Sequence, residues 1–348
     1  MEIPSIFLNR VLLNSAKKNA ANAYFSVGSI PLMRINNVLV PMEKEDILTS
    51  EMAEKIVDSF LTPEEKKELR DKKEIKVIKV FAGNYRFRVN IFFQKGFYSI
   101  SFKFITGIIR DFLELGLPVF LNSVAGAEAG LFIIAGPQSS GKSTTLASLV
   151  EVINRSSNKR IVVIEEKIET FFVSKKSLIE QREIGKDALD YGQALDNCLE
   201  DGVDVVALGE IRKEKFFNTI PKIIDLASGN SLVILELNAS GAIRVIEEIL
   251  DNLSKDSSQE SACHALADVF LGVIAQRLLP KVGGGLVLAN ELLIGNNPVR
   301  SFIRDNKTAQ IDNIIQTSRK EGMVSFDKAI DELSKAGLYR IENKIITA

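Results

Sequence analysis

The stretch that decides the fold is Gly136-Pro137-Gln138-Ser139-Ser140-Gly141-Lys142-Ser143. It fits the pattern G-x-x-x-x-G-K-[ST] in full, between an apolar run at 131–135 and a helical pattern at 143–153. The glycines let the backbone approach a phosphate group, and the N–H groups at a helix N-terminus favour negative charge. Lys142 is expected to reach the β- and γ-phosphates, and Ser143 to ligand Mg²⁺. We therefore predict a site for ATP and Mg²⁺ lined by Gly136, Pro137, Gln138, Ser139, Ser140, Gly141, Lys142, Ser143 and Thr144.

Apolar runs alternate with helical patterns downstream of this loop. The runs lie at 131–135, 160–165, 203–208 and 232–237, and Val, Ile and Leu dominate them. Buried runs separated by helices predict a mostly parallel sheet. The chain is therefore expected to be an α/β protein.

The 348 residues exceed one typical domain and suggest two. Residues 1–118 are predicted to form a smaller α/β domain, 119–130 a linker, and 131–348 the domain that holds the loop. In the first domain, a helix after Thr62-Pro63 is expected, with Thr62 as its cap. Further elements are predicted as a helix at 11–24 and strands at 75–81, 85–93 and 97–105, with Gly83-Asn84 joining the first two strands.

The composition excludes several classes of function. The net charge is -1, so no overall basic field recruits nucleic acid. The two cysteines, Cys198 and Cys263, lack the spacing of a metal site, and they favour a reducing compartment. The sequence has no signal-peptide pattern and no apolar run near the ~20 residues of a membrane span. We expect a cytoplasmic protein that reaches a membrane only through a partner.

Two groups of acidic residues are candidates for catalysis. Glu210 ends the sequence Leu208-Gly209-Glu210, directly after an apolar strand. Glu165 ends another strand and is followed by Glu166 and Glu169. Ligands bind at the carboxyl ends of the strands in open α/β sheets. Hydrolysis needs a group that positions or activates water, and Glu210 and Glu165 are the predicted acids for this role.

Several motifs together resemble the secretion (traffic) ATPases, and within them the PilT-like retraction motors of type IV pili. The loop is followed by an acidic box at 161–169, by Gln181-Arg182-Glu183 and by Gly209-Glu210-Ile211-Arg212. Further stretches that match are 86–90, 273–280 and 297–304, and the two short segments 315–317 and 321–323. The resemblance covers nearly the whole chain, and jointly these motifs are more specific than the phosphate loop alone.

The resemblance implies a RecA-like P-loop ATPase domain and a PAS-like α/β N-terminal domain. It implies a homohexameric ring with ATP at subunit interfaces, and an inner-membrane platform protein of the pilus as partner. It also implies that Arg86 and Arg88 belong to the site, together with Lys103, which stands where the family usually places an arginine. Lysine cannot grip phosphate bidentately as arginine does.

The sequence departs from the family in the acidic box, where Lys167 replaces a proline and Glu166 an aspartate, and at its histidines. Asn238 occupies the second position of the His box, and Ser231 or Asn230 the first. Asparagine forms hydrogen bonds but cannot carry a proton near neutral pH as histidine does. Two hypotheses stay open: an active retraction motor, or a weakly hydrolysing accessory subunit that binds ATP and regulates a paralogous motor. An assembly ATPase is a third alternative, against which the absence of a four-cysteine zinc motif argues.

Overall fold

The computed structural model describes residues 4–36, 38–81, 85–105 and 109–340. The chain divides into two compact units, one up to residue 108 and one from residue 109 onward. The turn expected at Gly83-Asn84 lies outside the described residues. Each unit has its own sheet and its own core of buried side chains.

The first unit is built on a six-stranded antiparallel sheet with the order β3-β2-β1-β6-β5-β4. In β5, Phe87, Val89 and Ile91 are buried and alternate with half-buried residues, as expected when one sheet face covers a core. Phe25 and Phe102 meet edge to face in that core, with ring centroids 5.3 Å apart. The elements are α1 (Pro4–Lys17), β1 (Asn22–Ser26), β2 (Leu32–Ile35), β3 (Val38–Pro41), α2 (Ser50–Phe60), α3 (Pro63–Lys72), β4 (Glu74–Phe81), β5 (Tyr85–Gln94) and β6 (Phe97–Ile105).

Two local predictions for this unit had different outcomes. The cap of α3 is confirmed, since Thr62 and Glu65 form a reciprocal capping box and Pro63 opens the helix. The helix predicted at 11–24 is wrong in its bounds. It runs from Pro4 to Lys17, Asn19 takes a left-handed φ of 53°, and Asn22–Ser26 forms β1, which pairs with β6.

The second unit is built on a seven-stranded sheet with the order β13-β12-β7-β11-β10-β8-β9. All neighbours are parallel except β12 and β13, which confirms the mostly parallel sheet. The strands are β7 (Gly130–Ala135), β8 (Arg160–Glu165), β9 (Leu178–Glu183), β10 (Val205–Leu208), β11 (Leu232–Leu237), β12 (Phe270–Pro280) and β13 (Leu286–Ile294). The helices are α4 (Phe112–Leu115), α5 (Leu121–Ala125), α6 (Lys142–Ser156), α7 (Tyr191–Glu200), α8 (Lys213–Ser228), α9 (Ala242–Leu253), α10 (Gln259–Val269), α11 (Asn297–Arg304), α12 (Ile311–Thr317) and α13 (Phe326–Lys335).

Both faces of this sheet are covered. Leu131 and Ile133 of β7 belong to a core that includes α7 to α10. Phe132 and Ile134 of the same strand point the other way, into a core with α4, α5 and α6. Alternate residues of a strand face opposite sides, so β7 is apolar throughout because it is buried on both.

The segment at 119–130, which was expected to be a linker, is part of the second unit. It contains α5, in which Leu121 and Val124 are buried in the same core as Leu146 and Leu149 of α6. The boundary between the units lies at residues 108 and 109, ten residues before the expected end of the first domain at 118. Apolar side chains at helical spacing tie this small, weakly charged stretch to the sheet. In the described parts of the chain, no helix is both long and apolar enough to cross a bilayer.

Candidate active site

The loop between β7 and α6 has a backbone that only some residues can adopt. Gly136 has a φ of 153° and Gly141 a φ of 95°, and Ser139 is left-handed as well, at 63°. A Cβ added at Gly136 would lie 2.3 Å from Ser140 Oγ and 2.7 Å from the carbonyl oxygen of Gln276. Glycine is therefore required at position 136, where the chain turns from the strand into the loop.

Lys142 begins α6, and its side chain is only 5% exposed. Its ammonium donates to the carbonyl oxygens of Gly136 at 2.8 Å and Pro137 at 3.0 Å. The same Nζ lies 3.0 Å from Oε2 of Glu210. The loop, the start of the helix and the Gly-Glu sequence predicted to face it therefore meet at one buried cation.

The register of the sheet explains why three carboxylates share one edge. Ile164 of β8 is paired with Leu208 of β10, and Leu208 with Leu235 of β11. Glu165, Glu210 and Glu236 come directly after these positions or two residues beyond them. Glu236 is in turn paired with Ile134 of β7, one residue before that strand ends. Parallel strands thus bring their carboxyl ends, and these acids, to the phosphate loop.

Gly209 lets Glu165 come close to the end of β10. Its N–H donates to the carbonyl oxygen of Ile164 at 3.0 Å, and an added Cβ would lie 3.2 Å from Cγ of Glu165. The glycine of the Gly-Glu sequence therefore makes room for the acid of the neighbouring strand. The structure brings Glu165 and Glu210, the two predicted catalytic acids, to adjacent strand ends.

Glu236 is a further acid at the site, and it is not among the acids predicted from the sequence. It lies inside β11, whose six residues are all buried, and is 2% exposed. The hydroxyl of Ser143 donates to its Oε2 at 3.1 Å. The signal that could have identified it is a single glutamate in an otherwise apolar strand, since a buried carboxylate is costly unless it has a partner.

Gln276 on β12 lies beside the loop and contacts the first turn of α6. Its Nε2 donates to Thr145 Oγ1 at 2.7 Å, and both residues are buried. Its main-chain oxygen is the atom that an alanine at position 136 would approach. The first turn of α6 is therefore held between β12 and β11, with Thr145 facing one strand and Ser143 the other.

The other acids near the site have structural partners. Glu166 pairs with Arg212 at 2.9 Å and more distantly with Lys215. Lys167, which departs from the family pattern, pairs with Glu183 at 2.8 Å. The pKa of the Tyr191 hydroxyl is raised, first by burial and then by the negative charges of Glu166, Glu165 and Glu236. Tyr191 therefore lies in an electrostatically negative part of the site.

The two positions at which the family has histidines lie at opposite ends of β11. Ser231 precedes the strand, is buried, and donates to the carbonyl oxygen of Val203 at 2.7 Å, which is a structural contact. Asn238 follows the strand at the edge of the phosphate loop and is exposed. His264, the one histidine of the sequence, is exposed on α10, which follows β11 and α9 in the chain.

The three basic residues predicted from the family lie on one face of the first unit's sheet. Arg88 of β5 is paired directly with Lys103 of β6, and Arg86 is two residues from Arg88 on the same strand. Residues two apart share a face, so the three charges form one basic patch. Partial burial lowers the pKa of Arg86, and an arginine remains charged at neutral pH.

The residues at the loop fit a nucleotide and a divalent cation. The cradle at Gly136 has no room for a Cβ, and Ser140 Oγ is buried there with no hydrogen-bond partner. Among residues that the structure describes, no group of three or more His, Cys, Asp or Glu could hold a metal ion. The hydroxyl oxygen of Ser143 is a suitable ligand for Mg²⁺, and water and phosphate oxygens would supply the others, as is usual when Mg²⁺ binds with a nucleotide.

Comparison with known proteins places the chain in a family. The family model described as "Type II/IV secretion system protein" matches residues 116–321, which is more than half of the chain. The chain belongs to the type II/IV secretion system protein family. The match includes the phosphate loop, both predicted acids and Glu236.

Within the type II/IV secretion system family, the chain is PilT-like along its whole length. It is 30% identical to the "Type IV pilus retractation ATPase PilT" of Pseudomonas aeruginosa, over 97% of this chain and 96% of that protein. It is 31% identical to a "Twitching motility protein" of Neisseria gonorrhoeae, over 90% of this chain and 82% of that protein. The family resemblance inferred from the motifs is confirmed.

A solved member of the family confirms the α/β fold class. The crystal structure of the pilus retraction motor PilT with bound ADP has a TM-score of 0.85 against this chain, at 30% identity. The similarity covers 97% of this chain and 96% of that one. It therefore includes both the N-terminal sheet unit and the C-terminal α/β unit.

Proposed function

We propose that this chain is an ATP-hydrolysing motor subunit that drives retraction of type IV pili. The contact between Lys142 and Glu210 carries the proposal, because it joins the phosphate loop to an acid at the neighbouring strand ends. Membership of the PilT-like family supports pilus retraction as the process. A relative that was solved with ADP supports an adenine nucleotide as the ligand.

In this mechanism the loop N–H groups and Lys142 bind and orient the phosphate oxygens. Lys142 exchanges its contacts with Glu210 and with the carbonyl oxygens of Gly136 and Pro137 for contacts with phosphate. Glu210, no longer held by the ammonium, then accepts a proton from the attacking water molecule. The oxygen of that water bonds to the γ-phosphorus, and the bond between the γ-phosphorus and the β-phosphate oxygen breaks. Mg²⁺, when held by Ser143, supplies positive charge beside the phosphates.

Further parts of the proposal concern assembly. The chain forms a homohexameric ring, and Arg86, Arg88 and Lys103 supply positive charge to ATP at a subunit interface. Their common face on one sheet supports this role. The ring acts at the inner membrane through the pilus platform protein. Native mass measurement tests the ring, and a species of six chains is expected.

Steady-state ATP hydrolysis tests the proposed activity. The wild type should turn over ATP, and Lys142→Ala should reduce the rate to background because phosphate loses its buried cation. Glu210→Gln should lower the rate by about 10²–10⁴-fold, the usual range for a general acid or base. Glu200→Gln, an exposed acid at the end of α7, is the control and should keep the wild-type rate. Equal rates in all four proteins would refute the proposal.

Asn238 favours a second candidate, an accessory subunit that binds ATP but hydrolyses it slowly and assists a paralogous motor. This side chain lies at the loop edge of β11 and cannot relay a proton as a histidine would. Slow turnover by the purified ring, which increases when an active paralogous ring is added, would support this candidate. Fast turnover by the chain alone would exclude it.

A further inference from the structure

Glu236 is unusual among the buried residues of the second sheet because it places a carboxylate inside a parallel strand, one residue before its carboxyl end. Its neighbours in β11, Leu235 and Leu237, are both buried, and Glu236 itself is 2% exposed. An ionised carboxylate at such a depth costs several kcal/mol in lost hydration. An apolar side chain would serve the core at no such cost, which indicates a function beyond packing.

The contact of Glu236 points to the cation side of the phosphate loop. The hydroxyl of Ser143 donates its hydrogen to Glu236 Oε2 at 3.1 Å. A hydroxyl that donates its only hydrogen keeps its two lone pairs for other partners. Glu236 therefore fixes the Ser143 oxygen in the orientation in which it can act as a ligand for a divalent cation, without being required to touch that cation.

The negative charges around Glu236 also support a role toward a cation. Glu165, Glu210 and Glu236 share one edge of the sheet, and the Lys142 ammonium already contacts Glu210. The negative charges of Glu165 and Glu236 both raise the pKa of Tyr191, in addition to its burial. A polyphosphate that enters beside these acids would meet repulsion, and the positive charge of a divalent cation bound with it would reduce that repulsion.

From this contact we propose that Glu236 is a positioning residue that makes nucleotide binding depend on Mg²⁺. It orients Ser143 toward the cation, and its charge disfavours nucleotide that arrives without one. The inference rests on the proposed nucleotide-binding function and adds to it a residue that sets the ligand: the Mg²⁺ complex of the nucleotide rather than the free nucleotide.

Nucleotide affinity, measured without turnover, tests the inference. A fluorescent ADP is titrated with Mg²⁺ and again with EDTA into the wild type, Glu236→Gln, Ser143→Ala and the double variant. In the wild type, removal of Mg²⁺ should weaken binding strongly. In Glu236→Gln this Mg²⁺ effect should shrink at least about tenfold, the size expected for one nearby charge at an intermediate dielectric. Because Glu236 acts partly through Ser143, the two substitutions should not be additive.

Glu291→Gln is the matched control, since Glu291 is also a partly buried acid of this sheet and accepts a hydrogen bond from the main-chain N–H of Ala242 at 2.8 Å. It should leave the Mg²⁺ effect as in the wild type. An unchanged Mg²⁺ effect in Glu236→Gln, or an equal loss in Glu291→Gln, overturns the inference. If Glu236→Gln loses the wild-type circular dichroism, Glu236→Thr, which keeps a hydrogen-bonding oxygen, is judged by the same criterion. Wild-type protein that binds no nucleotide would instead refute the proposed function, and with it this inference.

Discussion

The Nζ atom of Lys142 lies 3.0 Å from Oε2 of Glu210, across the intervening strand β11. Lys142 starts the helix after β7, while Glu210 follows β10, two strands away in the sheet. The lysine is buried and the glutamate is about one third exposed, at 5% and 34% of their side-chain surfaces. A phosphate group bound at this loop would therefore compete with Glu210 for one buried ammonium.

This competition predicts how Glu210→Gln binds nucleotide. The neutral amide no longer holds the ammonium by charge, so ADP should bind about two- to tenfold more tightly, as expected when a partly exposed ion pair is removed. Isothermal titration of ADP measures this change, with Glu200→Gln as the control. Weaker binding in Glu210→Gln would show that the acid assists the nucleotide instead of competing with it.

Gly136→Ala should abolish nucleotide binding while the sheet remains folded. The added Cβ would lie 2.3 Å from Ser140 Oγ and 2.7 Å from a main-chain oxygen, and φ at this position is 153°. The loop must move, because the backbone wall at Gln276 cannot yield as a side chain could. Gly126→Ala is the control, since φ there is −87° and an added Cβ has no neighbour nearer than 3.6 Å. Equal affinity of the two variants for ADP would contradict this account.

The sequence was sufficient to predict four adjacent strands of the second sheet and the loop between β7 and α6. These strands are β7, β11, β10 and β8, while β9, β12 and β13 were not predicted. Strands that are buried on both faces are continuously apolar, so runs of Val, Ile and Leu predict β7, β10 and β11. The loop is predicted by its glycine pattern, because only certain residues can adopt its backbone conformation. Glu210 and Glu165 are visible because they end such runs. Each of these features is local in the chain.

The features that were missed depend on contacts between distant residues. Glu236 accepts a hydrogen bond from Ser143, which lies 93 positions earlier in the chain. Gln276 donates one to Thr145, which lies 131 positions earlier. The helix predicted at 11–24 overlaps the start of β1 (Asn22–Ser26), because the strand β6 that pairs with β1 lies far along the chain. The segment at 119–130, predicted as a linker, has small and weakly charged residues. The burial of Leu121 and Val124 depends on a core that they share with α6 and with strands of the sheet. Spacing patterns do not carry such information.

Both cysteines should react slowly in the folded protein. Burial raises the pKa of Cys198 to about 11 and also raises the pKa of Cys263. Thiolate is the reactive form, so both low access and low thiolate content oppose modification at pH 8. A disulfide reagent such as DTNB should modify both only after the protein is unfolded in guanidinium chloride. Ser257→Cys, at an exposed position, should add one fast thiol, and fast reaction of the unaltered protein would contradict the burial of either cysteine.

Glu291 should make the protein less stable as the pH rises from acid toward neutral. The pKa of this carboxyl is raised mainly by burial and further by Asp312, against the opposing N–H groups of Ala242 and Phe326 and the charge of Arg277. Because its folded pKa is above its unfolded value of 4.5, its stabilising effect is complete below that value and is lost as pH rises through the folded pKa.

Glu291→Gln removes this ionisation and keeps an oxygen that can accept from Ala242. The variant should therefore melt at a higher temperature than the wild type at pH 7, and the difference should shrink toward pH 4, where the wild-type carboxyl is protonated. A gain of about 1 kcal/mol corresponds to roughly 2–4 °C in Tm for a unit of this size. Melting curves at the two pH values measure the effect, with Glu128→Gln as an exposed control. A Tm difference that is equal at pH 4 and pH 7 would show that Glu291 ionises as freely in the folded protein as in the unfolded chain.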